Sequence, residues 1–357
     1  MQDSKPLSKP LYRSYSSSLI EKHGHKVFRV GVDAGFSCPN RCGDKGEGGC
    51  VYCDSHGARA AYLRTNESGF RHDSGFEAEI DCPPCSANMQ GCNVNVLGNG
   101  RLADVRLQAL QDIRSQIERG RRFIESRYKV SHFALYLQSF SNTFAPVERL
   151  RTVYDYALGD YDWEGFIVST RPDCLDEEKL SLLESYKMRC GEVCVELGLQ
   201  SGSDRLLEAM HRGHDVQCFK DACALVKDHG LGLCVHVLTG FPGEGCAELD
   251  ETIAVLNEVK PDAIKIHNLN IASGTALYDS YLGGEVAAPC MTRHIATVIY
   301  ILRRIPSSVV IERLVCETPS HRLASPRAFA DKNTFLRALE SRMRELGAVQ
   351  GDLYEGV

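Results

Sequence analysis

KVFRVGVDAGFSCPNRCGDKGEGGCVYC, residues 26–53, joins a short β-rich run to a loop crowded with cysteine and glycine. The run Lys26–Asp33 reads as a strand, and the loop that follows carries Cys38, Cys50 and Cys53 at a C-x11-C-x2-C spacing. Three thiolates are one fewer than the four that usually hold a [4Fe–4S] cluster. A three-cysteine cluster leaves one iron without a protein ligand, and an open iron turns an electron carrier into a reaction centre. A structural zinc site wants four ligands, usually as two paired half-sites, and Cys42 would supply a fourth. The glycines Gly35, Gly43, Gly46, Gly48 and Gly49 let this loop take positive φ and approach closely. Pro39 fixes one turn, and Tyr52 is placed to shield one side of a bound group from water. Spacing alone leaves iron–sulfur and zinc both open.

Outward from the loop the chain alternates strand and helix. Further β-rich stretches lie at His132–Gln138, Phe166–Thr170, Val193–Leu197, Leu231–Leu238 and Ala263–His267. Between them Val216, Phe219, Cys223 and Val226 fall on one helical face, as do Leu249, Ile253 and Leu256. Strands alternating with amphipathic helices predict an α/β fold with parallel strands and right-handed crossovers. Six such units suit an open (β/α)6 partial TIM barrel, with a doubly wound sheet as the alternative that periodicity leaves open.

In barrel enzymes the active site lies at the C-terminal ends of the strands. Polar residues fall at each of these ends: Ser139, Asn142 and Thr143; Thr170, Arg171 and Asp173; Glu196 and Gln200; Gly240, Pro242, Gly243 and Glu244; His267, Asn268 and Asn270. Each has an ordinary reading too. Gly240–Gly243 reads as a turn, Glu196 as a carboxylate paired with Arg171, and His267 as a packed barrel histidine. The run Ser139–Thr143 reads as a helix N-terminal region rich in capping residues.

At 357 residues, with 43% apolar residues, the chain is long enough for one large or two ordinary domains. A net charge of −6 argues against a protein dominated by phosphate contacts, though not against a local basic groove. The N-terminal segment shows no apolar signal region, and no run of about 18 apolar residues exists to span a membrane. Sixteen cysteines fit a reducing cytoplasm.

The loop and the segments after it resemble the radical S-adenosylmethionine (SAM) superfamily, and within it the YhcC-type family, whose cysteines share the C-x11-C-x2-C spacing. The resemblance rests on GFSCPNR (35–41), GGCVYC (48–53), YLQSFSNTFAPVERL (136–150), STRPDCL (169–175), VELGLQS (195–201), RGHD (212–215), GFPGE (240–244), IKIHNLNIASGTAL (264–277) and DKNTFLRALESRMRELGAVQG (331–351). It implies an N-terminal segment (1–25), a partial TIM barrel (26–305) and a C-terminal strand–helix extension (306–357). It also implies a [4Fe–4S] cluster on Cys38, Cys50 and Cys53, and SAM as the second cofactor. Contacts to SAM are implied at Ser139, Asn142, Arg171, Glu196, Gln200, Gly240, Pro242, Gly243 and His267. The Gly-Gly-Glu motif that usually meets the methionine amino group is absent here. An external one-electron donor such as flavodoxin or ferredoxin is implied, and a distant likeness to elongator-type tRNA modifiers makes a tRNA nucleoside one candidate substrate. The alternative is a non-enzymatic iron–sulfur protein for electron transfer or redox sensing, which would have no need of an adenosyl pocket.

Residues 54–100 fall outside this pattern and read as an insertion. They hold Cys82, Cys85 and Cys92 at C-x2-C-x6-C, open to a second iron–sulfur cluster, a small zinc site or plain surface thiols. A basic run, Arg114, Arg119, Arg121, Arg122, Arg127 and Lys129, reads as a solvated helix face or as a phosphate-contacting one.

Overall fold

The computed structural model describes residues 10–41, 49–54, 60–63 and 101–356, with side chains from residue 110 onward in the helix that begins at 101. Cys42, Cys82, Cys85 and Cys92 lie outside the described residues. The elements run α1 (Tyr15–His23), β1 (Phe28–Val32), α2 (Arg101–Tyr128), β2 (Phe133–Leu137), α3 (Val147–Leu158), β3 (Gly165–Thr170), α4 (Glu177–Ser185), α5 (Lys187–Cys190), β4 (Val193–Gln200), α6 (Asp204–Ala209), α7 (Val216–Asp228) and β5 (Gly232–Thr239). They continue with α8 (Cys246–Val259), β6 (Ala263–Asn268), β7 (Ile271–Ala272), α9 (Ala276–Leu282), α10 (Met291–Arg304), β8 (Val310–Arg313), β9 (Leu323–Ser325) and α11 (Lys332–Glu345). The main sheet has seven strands in the order β1-β2-β3-β4-β5-β6-β8, the α/β arrangement of an open partial barrel. All six expected strands are present within a few residues of their expected bounds.

The chain divides into two compact units. One comprises His25–Gly198 and Leu207–Leu233; the other holds the N-terminal segment through Gly24, Leu199–Leu206 and the chain from Cys234 onward. In the first, β1, β2 and β3 pair parallel in sequence order, with Phe28 opposite Phe133 and Ala134 opposite Gly165. All five residues of β2 are buried, as expected for an inner strand of a parallel sheet, which is covered on both faces. Asp215 caps α7 by accepting a hydrogen bond from the Cys218 N–H at 2.8 Å. Of its expected face, Phe219, Cys223 and Val226 are buried, with Ala222 beside them, and Val216 is half-buried.

Two expectations change here. The run Ser139–Thr143 is not a helix start: α3 begins at Val147 behind Pro146, which cannot cap through a side-chain oxygen. The basic run is only partly solvated, because the Arg121 guanidinium lies 4.8 Å from the Phe133 ring and 5.2 Å from the Tyr161 ring.

In the second unit β5 and β6 pair parallel, with His236 opposite Lys265 and Leu238 opposite His267. The extension does not stand apart. Its strand β8 pairs parallel with β6, so a seventh strand continues the sheet. Phe335, Leu339 and Met343 on α11 are buried, and the expected face of α8, Leu249, Ile253 and Leu256, is buried too.

Phe219 is fully buried. Phe219→Ala is expected to lower unfolding free energy by about 3–5 kcal/mol in urea titrations, the usual result of emptying an aromatic site in a close-packed core.

Candidate metal centre

Two tight turns shape the cysteine loop. The Arg41 N–H donates to the Cys38 carbonyl and the Cys53 N–H to the Cys50 carbonyl, each at 2.9 Å. Gly49, just before Cys50, has φ +79°, a conformation that glycine adopts without strain. Cys38 and Cys50 are buried and Cys53 is half-buried. The Cys53 thiol donates to Cys50, so Cys50 is pushed well below the usual thiol range, aided by the nearby Arg212 against the cost of burial. The same hydrogen bond, together with burial, pushes Cys53 up. Burial raises Cys38, partly offset by Arg171 and Arg212.

The segment Arg212–Asp215 supplies the local charge. Arg212 Nη1 donates to Cys50 Sγ at 3.6 Å and Nη2 to the Gly198 carbonyl at 3.1 Å. Burial works against its charge, but the contact with the Cys50 sulfur holds the guanidinium protonated. Arg171, also buried, donates through Nε and Nη2 to the two Asp173 oxygens, each at 2.8 Å, and through Nη2 to the Arg212 carbonyl at 2.7 Å. Asn40 Nδ2 joins the two segments, meeting the carbonyls of His211 (2.7 Å) and Arg212 (3.0 Å) and Cys50 Sγ (3.4 Å). His214 is pushed down to about 3, by burial first and then by Arg212, so it is neutral here. A Cβ on Gly213 would stand 2.7 Å from Asn40 Oδ1, so this crossing needs glycine.

Among the described residues, Asn40 Oδ1, Arg171 Nη1, Arg212 Nε and His214 Nε2 are buried polar atoms of this cradle with no hydrogen-bond partner. Native proteins rarely leave such atoms unmatched, and ordered water, an ion or a ligand usually completes them. Two of the four are guanidinium donors beside three thiols. This donor set fits an anionic, sulfur-rich group ligated by Cys38, Cys50 and Cys53.

The residues expected at the strand ends divide between the two units. With the cysteines lie Ser139, Asn142, Arg171 and Glu196. Asn142 Nδ2 donates to the carbonyls of Ser139 (3.0 Å) and Ser169 (2.9 Å), while its Oδ1 is buried with no hydrogen-bond partner among the described residues. The Ser141 N–H donates to the Ser37 carbonyl at 3.2 Å, tying this loop to the residue before Cys38. Glu196 is fully buried and does not pair with Arg171. Arg29 Nη1 meets one of its oxygens at 2.7 Å and the Tyr136 hydroxyl donates to the other at 2.6 Å.

Gln200, Gly240, Pro242, Gly243 and His267 belong to the other unit. Gln200 closes β4 at φ +71°, uncommon for a residue with a side chain. The turn at Gly240 is closed by its own residues: the Gly240 N–H donates to Glu244 Oε2 at 2.6 Å. Burial pushes Glu244 up to about 7 despite that hydrogen bond. Gly240 sits at φ +93°, and a Cβ there would stand 2.4 Å from Pro289 Cγ. Its small size therefore already has a cause within the chain, apart from any ligand. The His267 ring lies 5.4 Å from that of His236.

Sequence reasoning set out the thiols but gave Arg212, Asn40 and His214 no role. The signal was present in Arg212–Asp215, a short polar run with glycine between a buried cation and a histidine.

Residues 81–256 match the model of the radical SAM superfamily, and residues 261–345 that of the radical SAM C-terminal domain. The chain is 28% identical to Protein YhcC of Escherichia coli (strain K12) over 341 residues, covering 96% of this chain and 94% of that protein. It is 29% identical to the tRNA uridine(34) acetyltransferase of Methanocaldococcus infernus over 157 residues, 43% of this chain and 28% of that protein. Among solved structures, the archaeal Methanocaldococcus infernus Elp3 with an N-terminal deletion superposes with a TM-score of 0.59 at 19% identity. That match covers 70% of this chain and 62% of the other, and it shows a shared fold.

Two substitutions test this arrangement. Arg212→Gln is expected to raise the pH at which Cys50 becomes thiolate in the cluster-free protein, read from the pH profile of its alkylation. It should also lower stability by roughly 3 kcal/mol, as when one partner of a buried charged contact is removed. Gly240→Ala is expected to cost at least about 1 kcal/mol whether or not ligand is present, because the positive φ and Pro289 both oppose a Cβ. An unchanged urea midpoint would show that the turn relaxes freely.

Proposed function

The chain belongs to the radical SAM enzyme superfamily, and from that premise we propose that Cys38, Cys50 and Cys53 hold the [4Fe–4S] cluster on which the superfamily's chemistry depends. The observation that carries this reading is the gathering of three thiols beside two buried guanidiniums with unmatched donors. A cluster held by Cys38, Cys50 and Cys53 would supply the electron for reductive cleavage of SAM and so give access to radical chemistry on a substrate. A cofactor carries such chemistry while the protein positions the parts and excludes side reactions. Arg171 and Arg212 favour the thiolate state and pull charge onto the sulfurs. Tyr52, half-buried between Cys50 and Cys53, keeps water from one side.

The proposed SAM contacts are Ser139, Asn142, Arg171, Glu196, Gln200, Gly240, Pro242, Gly243 and His267. Asn142 is the best supported of them, because its unmatched Oδ1 is a buried acceptor of the kind an amino group requires. Glu196 is the least free, since both of its oxygens are already engaged. An external one-electron donor of the flavodoxin or ferredoxin type is proposed as partner. A tRNA nucleoside is the proposed substrate, on the partial likeness to a tRNA uridine(34) acetyltransferase.

Anaerobic reconstitution with iron and sulfide, then reduction in the presence of SAM, is expected to yield 5′-deoxyadenosine. Replacing any one of Cys38, Cys50 or Cys53 by Ala should abolish both the visible cluster absorbance and that product. Retention of both in Cys38→Ala would overturn the ligand assignment.

A further inference from the structure

At the opposite end of β1 from the cysteine loop, the starts of three neighbouring strands bring together two histidines and a glutamate. His25 stands three residues before β1, His132 one before β2 and Glu164 one before β3. Parallel pairing brings these starts to one sheet edge. The Phe28 N–H donates to the His132 carbonyl at 3.0 Å, and the Glu164 N–H to the Phe133 carbonyl at 2.9 Å. The side chains then converge. His25 Nε2 lies 2.8 Å from both Glu164 oxygens. His132 Nδ1 meets Glu164 Oε1 as well. The two imidazoles stack with centroids 3.7 Å apart and planes 26° from parallel.

The geometry points to a divalent transition-metal site, for zinc or an ion of its class, ligated by His25, His132 and Glu164. Stacking holds the two rings so that His25 Nε2 and His132 Nδ1 both face Glu164 Oε1. An ordinary surface ion pair needs only one ring. Imidazole with carboxylate suits zinc, copper, iron or nickel, whereas magnesium and calcium prefer oxygen alone. Three protein ligands leave one position of a tetrahedral zinc for water. The side chains of His25, His132 and Glu164 are 37%, 45% and 21% exposed, so an ion has a path in. The site lies about one strand length, ~17 Å, from the cysteine loop. An ion there would tie three strand starts together, binding the folded chain and not the unfolded one, and so raise its stability.

The test uses the anaerobic, cluster-loaded full chain titrated with zinc chloride by calorimetry, comparing wild type with His25→Ala/His132→Ala. The double variant is expected to bind one zinc fewer per chain, and zinc should raise the thermal midpoint of the wild type more than that of the variant. Zinc held by cysteines elsewhere is common to both proteins and cancels in the comparison. Should the double variant fail to fold, Glu164→Gln, nearly isosteric, carries the test with an expected loss of more than tenfold in affinity. X-ray absorption of the zinc-loaded wild type should show nitrogen or oxygen scatterers that the variant lacks. Identical isotherms and identical zinc spectra in wild type and variant would overturn the proposal and leave a histidine–carboxylate ion pair.

Discussion

The contact on which this arrangement depends is the buried guanidinium of Arg212 against the Cys50 sulfur. A charge removed from water costs several kcal/mol unless it is paired and hydrogen-bonded. Arg212 meets that cost with Cys50 and the Gly198 carbonyl. These contacts fix where the segment after α6 crosses the cysteine loop. Once it is there, its own carbonyls take Asn40 and Arg171, and Arg171 in turn holds Asp173. Two like charges side by side repel, so Arg171 is held by a carboxylate of its own. The same positive field favours thiolate over thiol, the state in which cysteine binds a metal. A structural cost and a functional requirement are thus met by one side chain.

The strands were legible because a parallel strand buried on both faces reads as an unbroken apolar run. The five buried residues of β2 are such a run. The thiols were legible because their spacing is local. What could not be read was pairing between distant segments. Arg212 lies 162 residues from Cys50. Nothing in either segment says that they meet, beyond the polarity of the short run Arg212–Asp215. Glu196 shows the opposite error. A carboxylate on one strand and an arginine at the end of the strand before it look like a pair by proximity in topology. The actual partners, Arg29 and Tyr136, come from β1 and β2, whose side chains share its face of the sheet.

Gly240 carries a related lesson. Glycine at a strand end is consistent with a ligand touching the backbone, but also with a chain that leaves no room for a side chain. Here Pro289, nearly fifty residues on, occupies that space, and the positive φ adds a second reason. Neither is visible from the five residues of the motif. The case for SAM near this turn must therefore rest on other atoms, and the buried, unmatched oxygen of Asn142 is a stronger kind of evidence. A missing side chain has many causes, whereas a desolvated acceptor without a donor carries a free-energy penalty that a bound amino group would remove.

A parallel sheet gathers all strand ends at one edge and all strand starts at the other. The C-terminal edge collects the residues that follow each strand, and Cys38, Asn142 and Arg171 are such residues. The N-terminal edge gathers the residues before the strands with the same regularity, and there the chain has placed two histidines and a glutamate on three neighbours. Polar residues at strand starts need only reach water, and a lone histidine or glutamate would do so. Two rings stacked on each other and directed at one carboxylate give up rotamer freedom on all three side chains. An exposed ion pair returns at most about 1 kcal/mol. An ion bound by all three returns far more, because each ligand then loses its freedom once for a bond stronger than a solvated hydrogen bond.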